Sequence, residues 1–415
     1  MPDPARLFWL NFFAILRPTV ALGQWTTLVV TMGGLFATSL PLWTHLAGPL
    51  ALLGLNSVVL SQPPPSAPLL VAARRLHVRV GFISLFCMAF VLVSYAFFAL
   101  AWMLAALIGF AGPAYWSFVL RFSAYGILLV AAAMVYGYIF GQDRLTIERL
   151  EVQVPGLPDA FDGMRLVQLS DIHLGPFMTP ERLSAYIDEV NRLEPDLVCI
   201  TGDIAADLEG LRAGLGELSR LRARYGVFAI LGNHDAYCGA DRVAGLIEEA
   251  TEFRLLRDEV AVIESDGQCL HLLGIEDRGG PEHFRGLKQD ERLDRLRRQV
   301  PEGIPFVLLI HRPDLFEQAA GLGASLVLAG HTHGGQLAFP WPRRRPLSIA
   351  RFITPWPRGT YSKGPSVLHV NRGLGMTGQP IRLATPRELT VIRLAKATPG
   401  LAPETGALAE LGSAL

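Results

Sequence analysis

Three long stretches without a charged side chain occupy most of the first third of this chain. They cover residues 18–73, 80–120 and 122–142, with lengths of 56, 41 and 21 residues. A helix needs about 20 apolar residues to cross a bilayer, so the N-terminal part, residues 1–145, is predicted to be a transmembrane helical module. Its helices are predicted at about 20–40, 46–61, 80–108 and 115–140.

Basic residues mark one side of this module. Arg17 precedes the first helix, Arg74, Arg75 and Arg79 separate the second from the third, and Arg144 follows the fourth. With four crossings these positions fall on one side, and positive charge is enriched on the cytoplasmic side. The sequence predicts a multi-pass protein of the cell (inner) membrane with a cytoplasmic C-terminal part. Loss of the short second helix would place that part outside. A signal peptide is the competing interpretation of the first 40 residues, but no cleavage site is evident.

Composition changes after this module. Residues 1–141 hold one acid and six bases, whereas residues 142–415 hold 36 acids and 31 bases. A membrane module almost free of charge is typical of an anchor rather than a transporter. The net charge of zero gives no indication of a nucleic-acid partner, and the four unpaired cysteine positions argue against a disulfide framework.

From about residue 150, short apolar runs alternate with segments of helical periodicity, which is typical of an α/β domain. This domain is predicted over 150–394, and the Ala- and Gly-rich tail 395–415 is expected to fray. Strands are predicted at 165–169, 197–201, 227–231, 270–275, 306–310, 325–329, 367–370 and 389–394. Helices are predicted at 180–193, 208–222, 240–250, 287–299 and 313–320.

Polar motifs follow five of these strands. Residues two apart on a strand point to the same face, so the members of an Asp-x-His or His-x-His pair are expected to lie together. Asp, Asn and His side chains suit two divalent cations about 4 Å apart, the arrangement that clamps both the attacking and the leaving oxygen in phosphoryl transfer. The motifs are Asp171-Ile172-His173, Gly202-Asp203, Gly232-Asn233-His234-Asp235, His311 and Gly330-His331-Thr332-His333.

In order and completeness this motif set resembles the calcineurin-like metallophosphoesterase family. The stretches 169–175, 311–314 and 330–336 resemble a membrane-anchored bacterial branch of it. The resemblance covers about 150–394 and implies an α/β fold, a four-layer αββα metallophosphoesterase sandwich. It also implies metal ligands: Asp171, His173, Asp203 and His333 for one ion, and Asp203, Asn233, His311 and His331 for the other.

The catalytic residues are predicted to be His234 and Asp235. His234 matches the family's non-ligand histidine, which assists the leaving group or the charge of the transition state. Asp235 is expected to orient the ring of His234. The two cofactor ions are Mn, Fe, Zn or similar, because a mixed shell of this kind accepts several metals.

The predicted function is therefore that of a membrane-anchored, metal-dependent phosphoric ester hydrolase. It is expected to cleave phosphodiester or pyrophosphate bonds through a metal-bridged hydroxide, with lipids or nucleotide-linked lipids as candidate substrates. Some members of the branch cleave the pyrophosphate of a nucleotide-activated acylated sugar. The alternatives are a phosphomonoesterase or protein phosphatase and, from another class, a non-catalytic membrane sensor or transporter. The oligomeric state stays open.

Two further segments stand out. Residues 373–378 match the GxGxxG pattern, but the sequence after them reads as turn and strand, so a turn near the metal rim is favoured over a dinucleotide site. Residues 336–365 contain six bases, including Arg343, Arg344 and Arg345, several aromatic residues and no acid. This segment is predicted either to dock on anionic lipid headgroups or to be a solvated loop.

Overall fold

A computed structural model of the chain describes residues 4–36, 40–41, 43–61, 68–107, 114–279, 290–339 and 347–397. The chain forms two compact units, Met1–Tyr136 and Gly137–Leu415.

The N-terminal unit is built from apolar helices. In the described residues these are α1 (Pro4–Phe36), α2 (Thr44–Ser61), α3 (Pro68–Leu107) and α4 (Ala114–Ile139). Segments of α1 and α3, and α4 with the turn that follows it, are long and apolar enough to cross a membrane, whereas α2 is shorter. The expectation of N-terminal apolar helices that could span a bilayer is confirmed.

Two helices begin earlier than predicted. The first was expected to start near residue 20 and the third near residue 80, but α1 and α3 already include Arg17 and Arg74, respectively. Charge limits how deep a segment lies in a bilayer, yet it does not stop helix formation because arginine is a good helix former. Residues 37–39 and 108, also predicted as helical, lie outside the described residues.

Helices α1 and α3 run in the same direction. A Cβ added to Gly81 would meet Val20 at 2.8 Å, and one added to Gly23 would meet the carbonyl oxygen of Ser84 at 3.1 Å. A later residue of α1 therefore contacts a later residue of α3, as in a parallel pair of helices. If both helices cross a membrane, the chain between them must cross back, and this segment contains α2.

The C-terminal unit contains helices that alternate with strands. The helices are α5 (Pro180–Arg192), α6 (Leu208–Leu218), α7 (Asn233–Ala250), α8 (Glu291–Arg297) and α9 (Phe316–Gly321). The strands are β1 (Leu145–Val154), β2 (Arg165–Leu169), β3 (Leu197–Thr201), β4 (Val227–Ile230), β5 (Arg254–Leu255), β6 (Glu259–Ser265), β7 (Gln268–Ile275), β8 (Phe306–Ile310), β9 (Leu326–Ala329), β10 (Ala338–Phe339), β11 (Leu347–Ser348), β12 (Gly359–Lys363), β13 (Ser366–Val370) and β14 (Arg387–Lys396).

Two six-stranded sheets organise this unit. The first has the order β1-β14-β2-β3-β4-β5, and only the β14–β2 pair is antiparallel. The second has the order β12-β13-β9-β8-β7-β6, with antiparallel pairs at both edges and parallel strands between them. Strands β10 and β11 form a short separate hairpin.

Side-chain alternation along the strands builds a layered core. In β3, Val198 and Ile200 pack in a cluster with α5, α6 and α7. Leu197 and Cys199 point the other way and pack against residues of the second sheet. The far side of the second sheet packs on α8 and α9. Because a strand buried on both faces needs cover on each side, the result is the four-layer αββα arrangement implied by the resemblance.

Some boundaries differ from the predicted ones. The first sheet uses residues outside 150–394, since β1 begins at Leu145 and β14 ends at Lys396. The helix predicted at 240–250 is the second half of α7, which begins at Asn233 and is kinked at Gly239, where φ is 96°. Residues 287–289 of a predicted helix and 398–415 of the predicted tail lie outside the described residues. All four cysteines are free, as expected.

Candidate metal centre

The loops after five strands carry the predicted site residues. Parallel strands present their carboxyl ends at one edge of a sheet, and α/β sites form there. Asp171 and His173 follow β2, Asp203 follows β3, Asn233 begins α7 after β4, His311 follows β8, and His331 and His333 follow β9.

One group of donors contains Asp171, His173 and His333, all buried. The Nε2 atoms of His173 and His333 are 3.1 Å apart. The His333 Nε2 atom also lies 3.5 Å from Asp171 Oδ1. The ligand atoms of all three residues fall within 4.8 Å of one another, as binding of a common cation requires.

A second group contains Asp203, His311 and His331. Asp203 Oδ2 is 3.2 Å from His311 Nε2, which is 3.3 Å from His331 Nδ1. The same Asp203 oxygen lies 3.5 Å from Nε2 of His173 in the first group. Asp203 thus stands between the two groups, and neither His311 nor His331 is remote from it.

The donor set fits divalent cations. The side-chain oxygen of Asn233 is buried and has no hydrogen-bond partner among the described residues. A buried amide oxygen without a donor is costly, and a cation would satisfy it. Two imidazole nitrogens in contact, as in the His173–His333 and His311–His331 pairs, need either a shared proton or a cation between them.

Backbone conformation explains why these side chains converge. Asp171 and His173 lie together as expected, but strand alternation is not the reason, because β2 ends at Leu169 and β9 at Ala329, before the motif residues. His331 and His333 belong to different donor groups. The motif residues instead adopt left-handed backbone conformations, which cost energy for residues with a side chain. The φ angles are 48° at Asp171, 51° at His173, 54° at Asp203, 69° at His331 and 49° at His333.

Hydrogen bonds orient the two carboxylates and one imidazole. Asp171 accepts from Ser170 Oγ at 2.6 Å, and both of its oxygens lie 3.0 Å from the His331 amide nitrogen. Asp203 Oδ1 accepts from the amide of His234 at 2.8 Å. His311 Nδ1 lies 2.8 Å from the carbonyl oxygen of Thr201. This carbonyl fixes Nδ1 as a donor and leaves Nε2 toward Asp203.

Burial sets the charge of the histidines. It lowers the pKa of His173 and of His331 to about 3, and that of His333 well below its ordinary value. These three rings are therefore neutral near pH 7, which is the form that binds metal. Burial also opposes charge on His311, but Asp203 outweighs it and raises the pKa of His311 to about 10. The carboxylates thus favour a positive charge at the second group.

His234 lies beside both groups and, like His331, is only partly buried. A ring nitrogen of His234 lies within 4.8 Å of ligand atoms of His173 and Asp203. Its ring meets that of His173 edge-on at 4.7 Å, and the exposed Tyr237 ring lies 5.5 Å away. His234 therefore lies at a partly exposed edge of the donor cluster.

Asp235 makes different bonds from those expected. Its carboxylate accepts backbone N–H groups of Gly232, Ile204 and Ala205 at 2.8 to 3.1 Å. Among the described residues no hydrogen bond joins it to the ring of His234. Asp235 instead ties the loop after β3 to the start of α7, so it positions Asp203 and Asn233 through the backbone. Burial, together with Asp203, raises the pKa of Asp235 to about 7.

Residues 373–378, which match the GxGxxG pattern, form the floor of the metal centre. They adopt a turn and do not begin a helix. A Cβ on Gly373, where φ is 74°, would lie 2.6 Å from Asp171 Cβ and 3.3 Å from His333 Nδ1. Behind this loop the buried Arg382 donates from Nη2 to the carbonyl oxygens of Arg372, Gly373 and Gly375. Sequence analysis missed this arginine, because its partners are all backbone atoms and leave no motif.

Comparison with known proteins agrees with this geometry. The calcineurin-like phosphoesterase profile matches residues 164–335. A Bacillus subtilis protein described as an uncharacterized metallophosphoesterase, YkuE, is 31% identical over 267 residues, which are 62% of this chain and 89% of that protein. The chain belongs to the calcineurin-like phosphoesterase family, and it is a metal-dependent phosphoester hydrolase.

The names of two other relatives describe a transmembrane protein and a pyrophosphatase. A zebrafish (Danio rerio) transmembrane protein with metallophosphoesterase domain is 33% identical over 67% of this chain and 63% of its own length. The Chlamydia muridarum UDP-2,3-diacylglucosamine pyrophosphatase LpxG is 26% identical over 66% of this chain and 98% of its own length. The apolar helices described above, together with the relative that is named as a transmembrane protein, mark this chain as a membrane protein.

Proposed function

We propose that this protein is a membrane-anchored phosphoesterase that uses two divalent metal ions to hydrolyse phosphodiester or pyrophosphate bonds. The observation that carries the proposal is the position of Asp203, whose Oδ2 lies 3.5 Å from His173 and 3.2 Å from His311. A single carboxylate between two donor groups is suited to bridge two cations. Asp171, His173 and His333 would complete one shell, and Asn233, His311 and His331 the other.

The metal ions supply Lewis-acid activation of water and neutralise charge on the phosphoryl oxygens. The protein's own contribution is to hold the donors rigidly. Ser170 and the amide of His331 fix the Asp171 carboxylate, and the amide of His234 fixes that of Asp203. The preorganisation of charged groups is the largest catalytic effect in many hydrolases.

His234 is proposed to act on the leaving oxygen. Its ring lies at the partly exposed edge of the donor cluster and is held from two sides, by the edge-on contact with His173 and by Tyr237. From this position it can donate a proton or a hydrogen bond to the departing group. Asp235 serves as a positioning residue for this reaction, through the backbone of the two loops that it joins.

A lipid or a nucleotide-linked lipid is the proposed substrate class. The support is the apolar helical unit, which keeps the hydrolase at a bilayer, and the name of the Chlamydia relative, which describes a pyrophosphatase of an acylated sugar nucleotide. A phosphomonoesterase or protein phosphatase is the competing function.

Parallel assays test the reaction class. Manganese-loaded full-length protein in nanodiscs is expected to hydrolyse bis-p-nitrophenyl phosphate faster than p-nitrophenyl phosphate. A panel of phospholipids and nucleotide-linked lipids then identifies the natural class. Asp203→Ala is the control, and we expect a loss on the order of 10³-fold because it removes several kcal/mol of metal-dependent stabilisation. Preference for the monoester would favour the alternative, and equal turnover by Asp203→Ala would reject the site.

We further propose a multi-pass topology with the C-terminal unit in the cytoplasm. The support is the parallel course of α1 and α3, which requires a return crossing through the segment that contains α2. Further support comes from the basic residues, since Arg17 and Arg74 precede the uncharged stretches of α1 and α3, and Arg144 follows α4. A C-terminal fusion to a fluorescent protein that matures only in the cytoplasm should be bright. A C-terminal alkaline phosphatase fusion, active only outside the cytoplasm, should be inactive. The reverse pattern would exclude four crossings with this orientation.

A further inference from the structure

A row of apolar side chains projects into solvent directly after the loop of His331 and His333. Phe339 in β10 pairs with Leu347 in β11, so their side chains are cross-strand neighbours. Ile349, Phe352 and Ile353 continue the row. We call these five residues the apolar rim; Phe352 is 91% exposed and Ile353 is 76% exposed.

This exposure is concentrated in one stretch. In the described part of the C-terminal unit, the other exposed large hydrophobic residues are two at the end of α4 and the isolated Tyr237, Val262 and Ile304. Single exposed apolar residues need no explanation, but a contiguous group marks an interaction surface. The rim is also held in place, because Ser348 and Ala350 between its members are buried.

The rim is joined to the metal centre by short contacts. A Cβ on Gly335, two residues after His333, would lie 2.8 Å from Ser348 Cβ. Thr332 Oγ1, between His331 and His333, donates to the carbonyl oxygen of Pro357 at 2.6 Å. Whatever covers the rim therefore lies next to the loop that carries two proposed metal ligands.

Charge and connectivity indicate what covers it. Arg351 is exposed within the rim, and residues 336–365 contain six bases and no acid. Three of these bases, Arg343 to Arg345, lie outside the described residues, whereas Arg351 is the base of this segment that lies within the rim. Apolar side chains mixed with positive charge are complementary to an anionic bilayer surface. A bilayer is always near, because α4 ends at Ile139 and β1 of this unit begins at Leu145.

We propose that the apolar rim docks on an anionic phospholipid surface and holds the entrance of the metal centre at the level of the headgroups. Docking would present a phosphoester in the headgroup region to the loop of His331 and His333. This inference rests on the proposed function for the choice of substrate, but the docking itself can be measured without turnover.

Hydrogen–deuterium exchange of the full-length protein tests the docking. The protein is placed in nanodiscs of one copy each, made either of phosphatidylcholine or of phosphatidylcholine with phosphatidylglycerol, and in amphipol without a bilayer. Amides of residues 349–354 are expected to exchange about tenfold more slowly in anionic discs than in amphipol, as partial insertion into an interface would cause. In phosphatidylcholine alone the protection should be weaker.

Three outcomes would overturn the inference. Equal exchange in all three preparations would mean that no bilayer covers the rim. Equal protection in amphipol would assign the cover to another segment of the same chain. Protection that is absent from these single-copy discs but appears in a fourth preparation, discs with two copies each, would assign it to a second molecule. Each reading is independent of whether the protein turns over any ester.

Activity on two esters with one leaving group gives a second test. The double variant Phe352→Ser with Ile353→Ser is compared with the wild type on p-nitrophenyl phosphatidate in anionic discs and on soluble bis-p-nitrophenyl phosphate. The ratio of the two rates should fall about fivefold or more, since less apolar surface enters the interface. Ile304→Ser, which removes an exposed apolar side chain elsewhere, should keep the wild-type ratio. An unchanged ratio in the double variant would contradict the proposal, and the soluble ester reports whether each variant is folded.

Discussion

Gly373→Ala is the sharpest test of the metal centre, because it adds one methyl group at a measured position. The new Cβ would lie 2.6 Å from Asp171 Cβ, whereas carbon atoms pack at about 3.5–4.0 Å. Asp171 must therefore move by about 1 Å, well beyond the tolerance of about 0.2 Å for metal–ligand distances. Since a misplacement of about 1 Å costs on the order of 10²-fold in rate, kcat/KM on bis-p-nitrophenyl phosphate should fall by about that factor. The manganese concentration for half-maximal activity should rise.

A matched control separates this contact from backbone strain. Gly303 has φ 73° against 74° at Gly373, and a Cβ there would meet no atom within 4 Å. Both substitutions place alanine in a left-handed conformation at a cost of about 1–2 kcal/mol, so the two variants share this loss of unfolding free energy. Only Gly373→Ala should lose activity. Wild-type activity in Gly373→Ala, or an equal loss in Gly303→Ala, would refute the assignment of Gly373 to the floor of the metal centre.

Three further perturbations test neighbouring parts of the site. Arg382→Met removes the hydrogen bonds to three buried carbonyl oxygens. At about 1 kcal/mol or more for each unsatisfied group, it should lower the unfolding free energy by roughly 3 kcal/mol. Arg382→Lys should restore little of this loss, as proteolysis at increasing denaturant concentrations would measure. Burial opposes charge on Glu388, but Arg372 outweighs it and holds the pKa of that carboxyl well below 4.5. A depressed pKa stabilises the fold above the pKa of the unfolded chain, so Glu388→Gln should destabilise at pH 7 and differ less from the wild type as the pH falls below about 4.5. A chelator should abolish hydrolysis, and added manganese should restore it. The backbone amides of His173 and Leu174 should stay protected from hydrogen exchange in the presence of the chelator.

The sequence predicted the strands that are buried on both faces better than those at the edges. Strands β2, β3 and β8 have the predicted bounds, because a short and largely apolar run that is followed by polar residues has few alternatives. Strand β1 was missed. It lies at the edge of its sheet, and its charged residues Glu148, Arg149 and Glu151 break the apolar pattern. Half-exposed edge strands tolerate such residues, so composition cannot separate them from helix or loop.

For the metal centre, the sequence predicted which residues meet, but not how they are held. Asp171, Asp203 and His311 carry carboxylate and imidazole groups. Only a metal site or a buried ion pair would bring such groups together in a protein interior, so their motifs indicate a site of this kind. The roles of Asp235 and Arg382 could not be predicted, because both bind backbone atoms of segments distant in the chain. Any residue can supply a backbone N–H or carbonyl group, and such contacts leave no trace in the sequence.

The left-handed conformations at the ligand positions are held by bonds between loops. The amide of Asp171 donates to the carbonyl oxygen of Gly202, that of His173 to Asp203, and that of Leu174 to Ile204. These bonds continue the parallel pairing of β2 with β3 beyond the ends of both strands. Backbone strain persists only where the surroundings over-determine it, and here the strain turns the side chains toward one point. The protein's own hydrogen bonds therefore support the backbone geometry of these loops. Metal binding therefore requires little rearrangement of these loops, which is why their amides should stay protected after chelation even though hydrolysis stops.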